Sequence, residues 1–123
     1  MKLEPNMYVR TKCGYICKII NINDFREPSM KYGVEASYLK DIMFIGDDDI
    51  LKASHNIIDL IEVGDYVNGS KVVEVDFDAE EEKYIRIDKA QDGLKTILRN
   101  NDIKSIVTKE MFSSMEYRLG DDK

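Results

Sequence analysis

The sequence predicts a mainly β fold: two tandem small SH3-like five-stranded barrels or bent sheets, with a short C-terminal helix and a terminal edge strand. Three observations predict it. Runs rich in β-branched and aromatic residues recur along the 123 residues, each bounded by turn residues. The pair Tyr8-Val9 returns as Tyr66-Val67, each time followed by a glycine (Gly14, Gly69) and a β-branched run. Both halves then close on an asparagine and an Ile-rich stretch, Asn56 to Ile61 and Asn101 to Val107. A repeat at this period means two units, because a solenoid needs three or more.

The elements follow in order. Met7 to Thr11 and Tyr15 to Ile22 read as a hairpin around Cys13-Gly14. Asp24 to Lys31, with its Arg-Glu-Pro-Ser, reads as a loop. Tyr32 to Leu39 and Asp41 to Ile45 are strands, Gly46 to Asp49 a turn, Ile50 to Ala53 a continuation, and Asn56 to Ile61 a short strand or a tight turn entering one. These make a first unit over residues 1–61. The second, over 62–123, opens with Asn68-Gly69 between apolar runs, the strongest hairpin signal in the chain because both residues tolerate positive φ. Lys83 to Asp88 alternates as a half-buried strand does. Gln91-Asp92-Gly93 is a turn, Lys95 to Arg99 a strand, Asn100 to Asp102 a tight turn and Ile103 to Val107 a strand. Thr108 suits an N-cap and Glu110 a first helical turn, so a short helix is expected at about 108–115, then an edge strand over Glu116 to Leu119.

Composition narrows the class. The hydrophobic fraction is 43% and the charged fraction 34%, which suits a globular chain and excludes a disordered one. The longest apolar runs, such as Ile42 to Ile45, are far too short to cross a bilayer, and no apolar segment follows Met1 to Pro5, so neither a membrane span nor a signal peptide is expected. Cys13 and Cys17 are spaced C-x3-C, with His55 the one further Cys or His that could join them on a metal; they read as reduced thiols of a cytoplasmic protein. The net charge of -6 is uneven: residues 1–60 carry 8 basic against 9 acidic groups, residues 61–123 carry 10 against 15. An acidic second half argues against direct nucleic-acid binding and suits a basic partner.

The stretch Ala53 to Gly69 (ASHNIIDLIEVGDYVNG) and the stretch Ile103 to Phe112 (IKSIVTKEMF) resemble segments of small uncharacterised proteins of phages and prophages of Gram-positive bacteria. The resemblance covers mainly the second half. It implies a mobile-element origin and carries no catalytic residues.

The residues that could carry chemistry also have plainer readings. Asp76, Asp78, Glu80 and Glu82 alternate as oxygens do in a calcium loop, but Glu81 stands where glycine is needed and Ile87 where a bidentate glutamate is needed. Asp47-Asp48-Asp49 lacks any phosphate-binding loop, and no G-x-x-x-x-G-K-[ST], G-x-S-x-G or H-E-x-x-H motif occurs. His55 has no nucleophile beside it, and Cys17 alternates with apolar residues as a core position does. No enzyme activity, metal or cofactor is expected. The expected function is non-catalytic binding to a host protein or nucleoprotein with a basic surface, on the pattern of an anti-CRISPR-like inhibitor of host defence. The acidic cluster Asp76, Asp78, Glu80, Glu81 and Glu82 would carry the contact. Two alternatives stand beside it: a sponge for a small molecule or nucleotide signal, with Tyr84, Arg86 and Arg99 as its pocket, and a structural or regulatory phage component. The open edge of a small β unit also suits a homodimer.

Overall fold

The computed structural model describes residues 2–36, 39–89 and 95–114. Ten strands, four 3-10 turns and one short helix make up these residues. The first sheet holds β1 (Tyr8–Thr11), β2 (Ile16–Ile22), β3 (Tyr32–Glu35), β4 (Met43–Ile45) and β5 (Ile50–Ser54). The second holds β6 (Tyr66–Val67), β7 (Ser70–Phe77), β8 (Lys83–Ile87), β9 (Ile97–Leu98) and β10 (Ile106–Val107). Their orders are β4-β3-β2-β1-β5 and β10-β6-β7-β8-β9, so both are antiparallel meanders whose fifth strand returns to pair with the first. Each sheet is open, with no pairing between its two edge strands. A 3-10 turn precedes the returning strand in both, Asp47–Asp49 and Asn100–Asp102.

Alternation explains the packing. Val9, Cys17, Ile19, Tyr32, Val34 and Ile45 point to one side of the first sheet and form its core with Met7. Val67, Val72, Ile85, Ile87 and Leu98 do the same in the second. The expected repeat therefore has a structural basis in its anchor: Tyr8-Val9 and Tyr66-Val67 open equivalent strands, with the valine of each pair fully buried. The turn at Asn68-Gly69 is present, with positive φ at both residues (53° and 85°).

One expectation changes. Asn56 to Ile61 is not a closing strand; Ile57–Leu60 is a 3-10 turn, and the closing strand of the first sheet is β5. A short apolar run does not state its own period, and here Ile58 and Ile61 leave the first sheet to join the second core. The equivalent of Asn100–Asp102 is accordingly Asp47–Asp49. In both turns the last aspartate accepts from the backbone N–H three residues earlier, Asp49 from Gly46 (3.0 Å) and Asp102 from Arg99 (2.9 Å). The helix α1 spans Lys109–Ser114, with Thr108 Oγ1 accepting from the Met111 N–H at 3.3 Å as a cap does. The expected turn at 91–93 and the terminal edge strand over 116–119 lie outside the described residues.

Candidate functional site

The β7–β8 hairpin runs beyond the second core and ends in the acidic stretch. Asp76 pairs with Tyr84 and Phe77 with Lys83, which leaves residues 78–82 as the tip. Asp78 organises that tip. Its Oδ1 accepts the N–H groups of Glu80 (2.8 Å) and Glu82 (3.0 Å), and its backbone N–H donates to the Glu82 carbonyl at 3.0 Å. Glu81 takes a positive φ of 64° inside this turn. From β9's end, Arg99 Nη1 ion-pairs with Asp78 Oδ2 at 2.8 Å and donates to the Glu82 carbonyl at 3.3 Å. The backbone N–H of Glu82, then that of Glu80 and the Arg99 guanidinium, hold the Asp78 carboxyl below its usual range, against a smaller opposing effect of burial.

The five expected partner-binding residues therefore divide. Asp78 is occupied by the turn and by Arg99. Asp76 is exposed, and its Oδ1 accepts the Phe77 N–H (2.8 Å). Glu80, Glu81 and Glu82 are exposed and form no ion pair among the described residues. Five carboxylates less the one paired with Arg99 leave four uncompensated charges at one hairpin end. Phe77, 58% exposed, stands among them with Lys83 Nζ 5.8 Å from its ring centroid.

Tyr84, Arg86 and Arg99 lie together on the outer face of β8 and β9. Arg99 sits 5.6 Å over the Tyr84 ring, and Arg86 Nε bonds Glu74 Oε1 at 3.1 Å across the β7–β8 ladder. Both guanidinium groups are thus held by carboxylates of the same sheet, on a face rather than in a cavity.

A cavity lies elsewhere, a groove of about 680 Å³ between the two sheets. The outer face of the first sheet supplies Tyr8, Ile16 and Lys18, and the segment 103–107 of the second supplies the facing wall, with Ile57 and Met111 closing the floor. Sequence reasoning did not find this groove, because it arises from how the two sheets meet.

A buried ionic cluster fixes that meeting. Arg10, on β1, is 0% exposed. Its Nη1 donates to the Leu60 carbonyl (2.9 Å) and to Asp65 Oδ2, and its Nη2 donates to Asp65 Oδ1 (2.9 Å) and Glu110 Oε2 (2.6 Å). Asp65, also 0% exposed, further accepts the N–H groups of Glu62 (2.7 Å) and Lys109 (2.9 Å). Glu62 bridges Lys52 (2.9 Å) and Lys109 (2.8 Å). Three cations and three carboxylates thus balance. Partial burial pushes Glu62 up, but hydrogen bonds from Lys109 and Lys52 and the charge of Arg10 outweigh it and hold the carboxyl at about 2. The cluster joins strand β1, the inter-sheet segment 60–65 and α1, and so sets the walls of the groove. Beside it, Thr108 Oγ1 donates to the Gly14 carbonyl at 2.6 Å, and Phe112 stacks on Tyr66 with ring centroids 4.8 Å apart.

The two cysteines and His55 take ordinary places. Cys17 is buried in the first core and Cys13 is exposed, both free thiols. His55 Nε2 lies 2.7 Å from Glu4 Oε1 at the surface. Among the described residues no group of three or more His, Cys, Asp or Glu side chains converges as a metal site, and no helix is long and apolar enough to cross a membrane. No family model, curated protein or solved structure matches this chain.

Proposed function

We propose that this chain is a non-catalytic binding protein that engages a basic surface of a macromolecular partner through the tip of the β7–β8 hairpin. One observation carries the reading: Asp78 and Arg99 fix the tip in one shape while Glu80, Glu81 and Glu82 stay exposed and uncompensated. A turn whose backbone is held beforehand loses little freedom on binding, and an uncompensated patch steers a basic partner toward it. Phe77 adds an apolar anchor inside the charged rim.

The strand order supports an SH3-like kinship for each unit, since a 3-10 turn precedes the strand that returns to the first. The reading extends to a host target in the bacterial cytoplasm, with an anti-CRISPR-like block of a nucleic-acid groove as its specific form. Capture from a host lysate tests the reading when wild type is compared with Glu80→Gln/Glu81→Gln/Glu82→Gln. Wild type retains a basic protein or nucleoprotein that the triple variant releases. Retention of the same partner by both proteins rejects the hairpin as the contact.

A further inference from the structure

We propose that the groove between the sheets is a strand-binding site for an extended, acidic and apolar peptide segment of a partner protein, laid along the free edge of β10. This site is separate from the hairpin tip and opposite in charge preference.

The edge is the first argument. Among the described residues β10 pairs with β6 alone, Ile106 against Val67 and Val107 against Tyr66. The Asn68 N–H donates to the Ser105 carbonyl at 3.0 Å, so residues 105 and 107 turn their backbone groups toward β6. By the alternation of an antiparallel ladder, Ile106 turns its N–H and C=O the other way. Residues 103–107 of both pleat parities border the groove, so it follows the edge of this strand rather than one face of it. An extended peptide is the ligand that such an edge accepts.

Charge is the second argument. The groove is bordered by Lys18, Lys40 and Lys104 against Glu35 and Asp41, a local balance of +1 in a chain of net -6. None of the three lysines forms an ion pair among the described residues, although Lys18 Nζ lies 5.8 Å over the Tyr8 ring. Tyr8, Ile16, Ile57 and Met111 add apolar lining to the same groove. A strand with apolar side chains toward that lining and carboxylates toward the lysines satisfies both. The volume, about 680 Å³, is within the ordinary range for binding clefts of roughly 300–1,000 Å³.

The test uses the full chain and fluorescein-labelled six-residue peptides of alternating valine and glutamate, followed by anisotropy. The expected result is saturable binding that weakens at least tenfold when lysine replaces glutamate. N-methylation of alternate peptide amides costs about tenfold at one parity, near the worth of one or two ladder bonds, and little at the other. Lys18→Glu/Lys104→Glu reverses the preference between the two peptides. Glu80→Gln/Glu81→Gln/Glu82→Gln leaves peptide binding unchanged, which separates failure here from failure of the hairpin reading. The proposal is overturned by no binding at about 1 mM peptide, by indifference to N-methylation at both parities, or by an unchanged preference in the lysine variant. Dimers in light scattering that the peptide dissociates also overturn it, because a second copy of the chain is then the occupant.

Discussion

A guanidinium does not lose its proton inside a protein, so a buried one must meet carboxylates and carbonyls. Arg10 meets Asp65, Glu110 and the Leu60 carbonyl, and only its Nε stays without a partner among the described residues. Replacing Arg10 by Met leaves Asp65 as an uncompensated carboxylate with no solvent exposure. The expected loss is about 3–5 kcal/mol, read from urea unfolding midpoints. Arg10→Lys should rescue little, because one ammonium cannot reproduce the two-pronged contact with Asp65. The glycines beside the cluster give a finer comparison. Gly14 and Gly64 have nearly equal positive φ, 98° and 99°. A Cβ at Gly14 would lie 2.5 Å from Thr108 Oγ1, which is held by its bond to the Gly14 carbonyl. A Cβ at Gly64 meets only the flexible Lys109 side chain at 3.4 Å. Gly64→Ala should cost the backbone strain alone, about 1–2 kcal/mol, and Gly14→Ala measurably more in the same assay. None of this was legible in the sequence. Arg10 stands in a run that reads as an ordinary strand, and its partners lie 55 and 100 residues away.

At the scale of elements, the hairpin tip depends on one side chain. Asp78→Ala removes the acceptor for the Glu80 and Glu82 N–H groups and the partner of Arg99. Amide hydrogen exchange at residues 80 and 82 should accelerate sharply, while the global unfolding midpoint hardly moves, because the tip lies beyond the second core. If both amides stay protected, Asp78 does not organise the turn. Much at this scale was legible. Lys83 to Ile87 alternates and is a strand, and Asn68-Gly69 is the hairpin turn its residue types demand. Between strand and tight turn at Asn56 to Ile61 the residues do not decide, because four apolar residues in six fit a strand as well as a 3-10 turn, and only the second core chooses between them. The acidic stretch was visible as composition, but the difference between Asp78 and its neighbours came from geometry. A cap-like aspartate and a solvated one carry the same letter.

At the scale of the molecule, two open sheets with separate cores are tied by the cluster around Arg10 and Glu62. The folded Glu62 carboxyl sits at about 2, below the unfolded value near ~4.3, so the unfolded chain binds its proton first as pH falls. Its contribution to stability is full above about pH 5 and disappears toward pH 2. Asp78 and Asp102 shift in the same direction, through the Glu82 N–H for the first and the Lys95 ammonium for the second, and add to the same acid limb. Urea midpoints measured from pH 7 down to pH 2 should therefore fall steadily below about pH 5. Glu62→Gln should start lower at pH 7 and fall less. A wild-type stability independent of pH in that window would show that the cluster does not couple the sheets.

The sheets so joined hold the hairpin at one end, and the function proposed for its tip is binding by uncompensated charge. The most direct measurement is the dependence of affinity on salt for the partner captured by wild type. Log Kd should rise with log salt concentration, and neutralising Glu80, Glu81 and Glu82 should weaken binding and flatten that slope. Equal affinity and equal slope for wild type and the neutralised variant would contradict it.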